Sequence, residues 1–248
     1  MELKVRNITF DNGKPKICVP LVGSDAQEVV KEIKDLNGLQ YDLVEWRVDY
    51  FENHSSIISD SYQVRAALND TVLLGTCRTH KEGGNWNISQ EEYKQLLIEM
   101  IDSHNFDMID VEAYFDEVIV NEVVKYAHNN NVKVILSYHD FTSTPSEEEI
   151  IQKLDYMNHH DADICKIACM PQNKEDVIHL LNATKQASTV IDKPLCTMSM
   201  GQLGVTSRMV GELFGSSMTF GCNTNSSAPG QIFANQLNAI LDLIHVKH

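Results

Sequence analysis

Eight short apolar runs recur along the chain at intervals of about 29 residues, and no other feature limits the fold so strongly. They are KICVPLV from Lys16, YDLVEWRVD from Tyr41, TVLLGTCR from Thr71, FDMIDVE from Phe106, VKVILSY from Val132, ADICKIA from Ala162, KPLCTMS from Lys193 and SMTFGC from Ser217. Turn or charged residues bound each run. Runs that are apolar almost throughout, rather than alternating, mark strands buried on both faces, as in a parallel sheet covered by helices.

Helix-like stretches fill the intervals. STPSEEEIIQKLDYMNHH carries a capping box of Ser146 and Glu149, and SQEEYKQLLIEMIDSHNFD opens on Ser89 with acids in its first turn. GQIFANQLNAILDLIHV places Ile232, Leu237, Ile240, Leu241 and Ile244 on one helical stripe. Eight strand-then-helix units of this size predict a (β/α)₈ TIM barrel. A doubly wound open sheet is the alternative, but it typically has fewer strands, and no G-x-G-x-x-G follows the first run. No linker or composition shift divides the chain, so residues 1–248 are expected to form one domain. Ahead of the first barrel strand, KVRNITFDNGKPKI has an N-G step between alternating segments, predicting an N-terminal β-hairpin that covers the barrel bottom.

Composition excludes some partners. With 20 Lys+Arg against 35 Asp+Glu the formal charge is −15, which argues against nucleic acid, whose phosphates call for a concentrated basic surface. No apolar run approaches the roughly 18–20 residues of a membrane helix, and the first residues lack a signal-peptide core. The six cysteines form no C-x-x-C pair and mostly lie within apolar runs, reading as reduced, buried residues of a cytoplasmic protein.

Barrel chemistry gathers where strands end. There the sequence places Glu45, Arg47 and Asp49 on one parity of EWRVDYF, then Arg78 with Glu82 in CRTHKEGG. His139 ends SYH, Lys166 lies in DICKIACMP, Arg208 lies in the loop after the seventh run, and Ser226, Ser227 and Gln231 follow the eighth. Singly, a strand-end Glu or Arg is ordinarily a surface residue, a strand-end His ordinarily structural, and paired glycines ordinarily a turn. Lys166 is harder to dismiss, because Ile164, Ile167 and Ala168 flank it near the end of a central strand. Burial and nearby guanidiniums are expected to shift it toward the neutral amine, the form that makes an imine with a ketone. The arginines would hold an anionic, hydroxylated substrate in a locally cationic pocket, and the histidine would move protons beside the imine. A Schiff-base aldolase would also place a lysine here but usually needs a phosphate site in the last loops. A metal hydrolase lacks support, since no strand carries H-x-H and no H-E-x-x-H occurs. A non-enzymatic sugar-acid binder would explain the arginines but not a buried lysine beside a histidine.

At these residues the chain resembles the type I 3-dehydroquinate dehydratases, the Schiff-base dehydratases of the shikimate pathway. EWRVDYF, CRTHKEGG, SYHDFTSTPS, KIACMP, MSMGQLGVTSR and SAPGQI carry the resemblance in the same order over nearly the whole chain. It implies a cofactor-free, metal-free elimination of water from 3-dehydroquinate. Lys166 would form the imine with the C3 ketone, and His139 would take the C2 proton and later protonate the leaving C1 hydroxyl. Glu82 would orient that histidine. Arg208 would pair with the substrate carboxylate beside Ser227 and Gln231, while Glu45, Arg47 and Arg78 would hold the ring hydroxyls. The resemblance also implies a homodimer. The loop around Pro229 and Gly230 is expected to close over the ligand.

Overall fold

The computed structural model describes residues 2–11, 13–223 and 227–245. A short hairpin pairs β1 (Leu3–Val5) with β2 (Ile8–Phe10). Eight parallel strands follow: β3 (Lys16–Leu21), β4 (Leu43–Arg47), β5 (Val72–Thr76), β6 (Met108–Glu112), β7 (Lys133–Asp140), β8 (Ile164–Cys169), β9 (Leu195–Ser199) and β10 (Met218–Cys222). Each lies within or against one of the eight apolar runs. Alternating with them are α1 (Ala26–Asp35), α2 (Ile57–Leu68), α3 (Gln90–Asp102), α4 (Glu117–Asn129), α5 (Glu147–His159), α6 (Lys174–Ser188), α7 (Gly201–Val210) and α8 (Ala234–Ile244). A two-residue strand, β11 (Ile232–Phe233), pairs in parallel with β10.

The sheet runs β11-β10-β3-β4-β5-β6-β7-β8-β9 and curls into a barrel, closed between β9 and β10 by a single bridge, Leu195 with Ser216. At this seam the Ser217 amide donates to the Leu195 carbonyl at 2.7 Å, and the Thr197 amide donates to Ser216 Oγ at 3.2 Å. A serine hydroxyl thus takes the place of a ladder carbonyl.

The strands are apolar on both faces because each face meets a different core. Val19, Val44, Trp46, Leu73, Ile109, Leu136 and Ile167 point outward against the helices. Cys18, Leu43, Val72, Leu74, Met108, Ile135 and Ile164 point inward. Helix starts are chemically marked: Ser89 and Ser146 both form capping boxes, with Glu92 and Glu149, and Asp25, Asp116 and Asn173 cap α1, α4 and α6. All six cysteines are free and buried. Among the described residues, no helix is long and apolar enough to cross a membrane.

Two local expectations need correction. The hairpin exists, but Val5 pairs with Ile8, so the chain reverses at Arg6–Asn7, with Arg6 at φ 49°, and not at the later N-G step. Asn12 of that step lies outside the described residues. This register gathers Leu3, Val5, Ile8 and Phe10 on one face, and the last three are buried in the cluster inside the barrel. Ile232 belongs to β11 rather than to the last helix, whose buried stripe is Ala234, Leu237 and Leu241.

Phe10 is fully buried, so the hairpin acts as a plug rather than a tail. Phe10→Ala is expected to lower the unfolding free energy by about 3–5 kcal/mol, measured by urea denaturation. A loss under about 1 kcal/mol would mean that the hairpin only rests against the barrel.

Candidate active site

Side chains that point inward lower in the barrel are apolar, whereas nearer the carboxyl ends of four strands they are polar or charged. Glu45 and Arg47 come from β4, Asp110 and Glu112 from β6, Ser137 and His139 from β7, and Lys166 from β8. Each sits two residues beyond an inward-facing neighbour of its own strand, so strand parity alone aims it at the barrel axis.

Lys166 is buried, and its Nζ donates to Asp110 Oδ2 at 2.9 Å. Glu45 Oε1 lies 3.7 Å from the same nitrogen and accepts a hydrogen bond from Thr76 Oγ1 at 2.9 Å. The Phe220 ring centroid is 4.6 Å away. Burial alone would pull the Lys166 pKa down, but Asp110 and Glu45 more than reverse it, and the net shift is upward. The resting form is therefore a paired ammonium, not the neutral amine that burial and neighbouring guanidiniums led us to expect. Those guanidiniums are themselves engaged. Arg47 makes a bidentate pair with Asp49 at 2.8 and 2.8 Å. Arg78 Nη2 donates to Asp110 at 2.7 Å, and Nη1 donates to Glu112 at 3.1 Å and to Ser137 Oγ at 3.0 Å. Burial would raise the Asp110 pKa, yet Arg78 and Lys166 hold it far below the carboxylate range.

His139 Nδ1 meets Glu82 Oε2 at 2.9 Å, and the same oxygen accepts the His139 amide at 3.0 Å. Nε2 is thus the ring nitrogen that Glu82 leaves free. Burial, then Arg78 and Lys166, push the imidazole well below its usual pKa, so the ring is neutral. Burial pushes Glu82 well above the ordinary carboxyl range, with Arg78 opposing. Glu82 is held by a tight loop in which the Gly84 amide donates to the Thr79 carbonyl at 2.8 Å. A Cβ on Gly84 would lie 1.9 Å from the Arg78 carbonyl oxygen, which is why a glycine stands there.

Arg208 differs from the other cations. It is buried on α7, and its guanidinium contacts Met198 Sδ at 3.3 Å and the carbonyls of Phe220 and Pro229 at 3.5 and 3.4 Å, with Nε unpartnered. No carboxylate pairs with it among the described residues, and burial brings its pKa down to about 10. Ser227 and Gln231 lie beside it, hydrogen-bonded to each other at 3.0 and 3.2 Å. Ser226, and with it part of the loop expected to close over the ligand, falls outside the described residues.

The nine side chains to which the family resemblance gives roles, Glu45, Arg47, Arg78, Glu82, His139, Lys166, Arg208, Ser227 and Gln231, line one pocket with about 460 Å³ of open space, while Asp49 stands behind Arg47. Sequence reasoning missed Asp110 and Glu112, which hold Lys166 and Arg78. The signal was there: D-x-E within MIDVE puts two acids on one parity of an otherwise apolar strand. The pocket is also not simply cationic, since Glu45, Asp49, Asp110 and Glu112 offset its bases.

Fold and pocket together define a parallel (β/α)₈ barrel with a charged constellation at the carboxyl ends of its strands. The sequence narrows this to one family: residues 17–248 match the type I 3-dehydroquinase family model, and the chain belongs to that family. A 3-dehydroquinate dehydratase of Clostridioides difficile is 44% identical over 248 residues, covering 98% of this chain and 97% of that protein. A crystal structure of a type I 3-dehydroquinate dehydratase from Clostridium difficile, with covalently modified comenic acid, superposes with a TM-score of 0.95 at 44% identity, covering 99% and 98% of the two chains. The Geobacillus kaustophilus 3-dehydroquinate dehydratase gives a TM-score of 0.94 at 33% identity, covering 98% and 96%.

The depressed imidazole has a direct readout. Near pH 6, where an ordinary histidine with a pKa of about 6.5 is mostly charged, ¹⁵N chemical shifts should report a neutral His139 ring. A titration midpoint at the ordinary value would contradict the burial and charge environment described.

Proposed function

We propose that this protein catalyses the cofactor-free loss of water from 3-dehydroquinate, giving 3-dehydroshikimate, through an imine on Lys166. Family membership supports the reaction. The single observation that supports the route is a buried lysine placed in one pocket with a neutral histidine and an unpaired arginine. In the biosynthetic sequence to aromatic amino acids, this is the dehydration step of the shikimate pathway.

Arg208, the cation without a carboxylate, takes the substrate carboxylate, with Ser227 and Gln231 beside it. Glu45, Arg47 and Arg78 contact the ring hydroxyls. Because Lys166 rests as an ammonium, it must lose a proton before it attacks C3, and His139 Nε2 is the base available. Attack and loss of water then give an iminium. His139 next removes the C2 proton, the electron pair moves onto nitrogen, and the same proton leaves with the C1 hydroxyl as water. Hydrolysis of the product iminium restores Lys166. Glu82 fixes the ring so that Nε2 faces the substrate. Placement of one base for several transfers typically contributes about 10²–10⁴-fold. The protein acts as one domain, as a homodimer in the cytoplasm, with a small-molecule substrate and with neither nucleic acid nor membrane as partner.

Incubation with 3-dehydroquinate tests the reaction: a conjugated enone carboxylate should appear in the near ultraviolet, and a silent spectrum would refute it. Lys166→Ala should abolish turnover, by about 10⁴-fold or more as for removal of a covalent nucleophile, yet leave substrate binding measurable by calorimetry. Unchanged turnover would overturn the imine. His139→Ala should slow imine formation, because water must then take the lysine proton, and should stall the later C2 proton transfer more severely, so that after long incubation borohydride traps more adduct than in the wild type. Turnover at the wild-type rate would remove His139 from the mechanism.

A further inference from the structure

We infer that Asp110 is the counter-ion of the protonated imine on Lys166, a role beyond the residues named above and one that rests on the imine reading. The geometry carries it. Asp110 is 1% exposed, and its Oδ2 is the carboxylate oxygen nearest the reacting nitrogen, at 2.9 Å. Its other oxygen accepts from Arg78 Nη2 at 2.7 Å and Ser137 Oγ at 2.6 Å, so the carboxylate is held from two further sides and cannot follow a different partner.

Charge balance makes one anion suitable for both states of the lysine. The ammonium gives a proton to His139, the free amine adds to C3, and the returned proton leaves with the carbonyl oxygen as water. The net change converts one positive nitrogen into another: an ammonium and a ketone become an iminium and water. The iminium keeps a single N–H, and Asp110 Oδ2 is placed to accept it. That contact holds the nitrogen protonated, and only the protonated imine draws electrons from the C2–H bond. Asp110 itself cannot take the proton, because Arg78 and Lys166 keep it ionised far below the carboxylate range.

The other groups facing this nitrogen do not replace it. Glu45, from β4, stands at 3.7 Å and is already hydrogen-bonded to Thr76. Arg78 and the neutral His139 offer no negative charge. The thiols of Cys18 and Cys196 are raised by burial, the second to about 12, and stay neutral. Phe220 presents only its ring face.

The test is the pH dependence of cyanoborohydride trapping at saturating 3-dehydroquinate, since hydride reduces the protonated imine. In the wild type, trapping of the Lys166 adduct should persist into the alkaline range. In Asp110→Asn its upper midpoint should fall by about 1–3 pH units, the usual effect of an opposite charge at this distance, whereas Glu45→Gln should move it less. Equal midpoints in wild type and Asp110→Asn, or a larger shift in Glu45→Gln, would overturn the counter-ion. Should Asp110→Asn not fold, the wild type and Glu45→Gln still decide. A wild-type midpoint near neutrality, or a large Glu45→Gln shift, refutes the role. A wild-type enzyme that forms no adduct at any pH while still turning over would instead refute the imine itself.

Discussion

Asp110 has almost no access to solvent, yet its carboxylate joins the Arg78 guanidinium at 2.7 Å to the Lys166 ammonium at 2.9 Å. Each of these charges would be costly to bury alone, and leaving any one without its partner typically costs about 3–5 kcal/mol. The three are tolerable together because each charge is paired with an opposite one at hydrogen-bond distance. The rest of the upper barrel follows from this constraint. Glu112 takes the second branch of Arg78 and binds the Thr79 amide and hydroxyl at 2.8 and 2.8 Å, which fixes the loop that carries Glu82. Glu82 in turn holds His139. Lysine and histidine are thus placed by a single connected network rather than by two separate anchors.

The barrel supplies what this network needs. Parallel strands with staggered register bring side chains from β4, β6, β7 and β8 to one level, with Ser137 paired to Lys166 across β7 and β8. Below them lies an apolar plug, with Val5, Ile8 and Phe10 of the hairpin sealing the far end. The apolar floor is a low-dielectric surrounding that strengthens each ion pair above it. Arg208 stands apart from the network. No carboxylate pairs with it among the described residues, so its buried positive charge is unmatched there.

The fold was legible in the sequence because both faces of every barrel strand are buried, which writes each strand as a continuous apolar run. The helix starts were legible at Ser89 and Ser146 because capping chemistry is local. The hairpin turn was not, since packing of Leu3, Val5, Ile8 and Phe10 on one face outweighed the turn preference of the N-G step. Lys166 and His139 stood out as polar groups at strand ends. Arg208 stood out too, but the sequence puts it in a loop, whereas it lies on α7 (Gly201–Val210), which starts directly after the strand. The protonation state of Lys166 did not, because it depends on Asp110, 56 residues away in sequence, through a contact that only the folded barrel creates.

Net charge proved a poor guide to the pocket. A surplus of fifteen negative charges describes the whole chain, while in the pocket acids and bases are mostly paired and Arg208 has no carboxylate partner among the described residues. On the proposed imine route, Lys166 is then activated by proton transfer within the site rather than by a permanently lowered pKa. Borohydride reduction in the presence of 3-dehydroquinate, followed by peptide mass mapping, addresses the nucleophile most directly. One covalent adduct, located on Lys166, is the expected result. Turnover without any adduct, or an adduct on a different lysine, would contradict it.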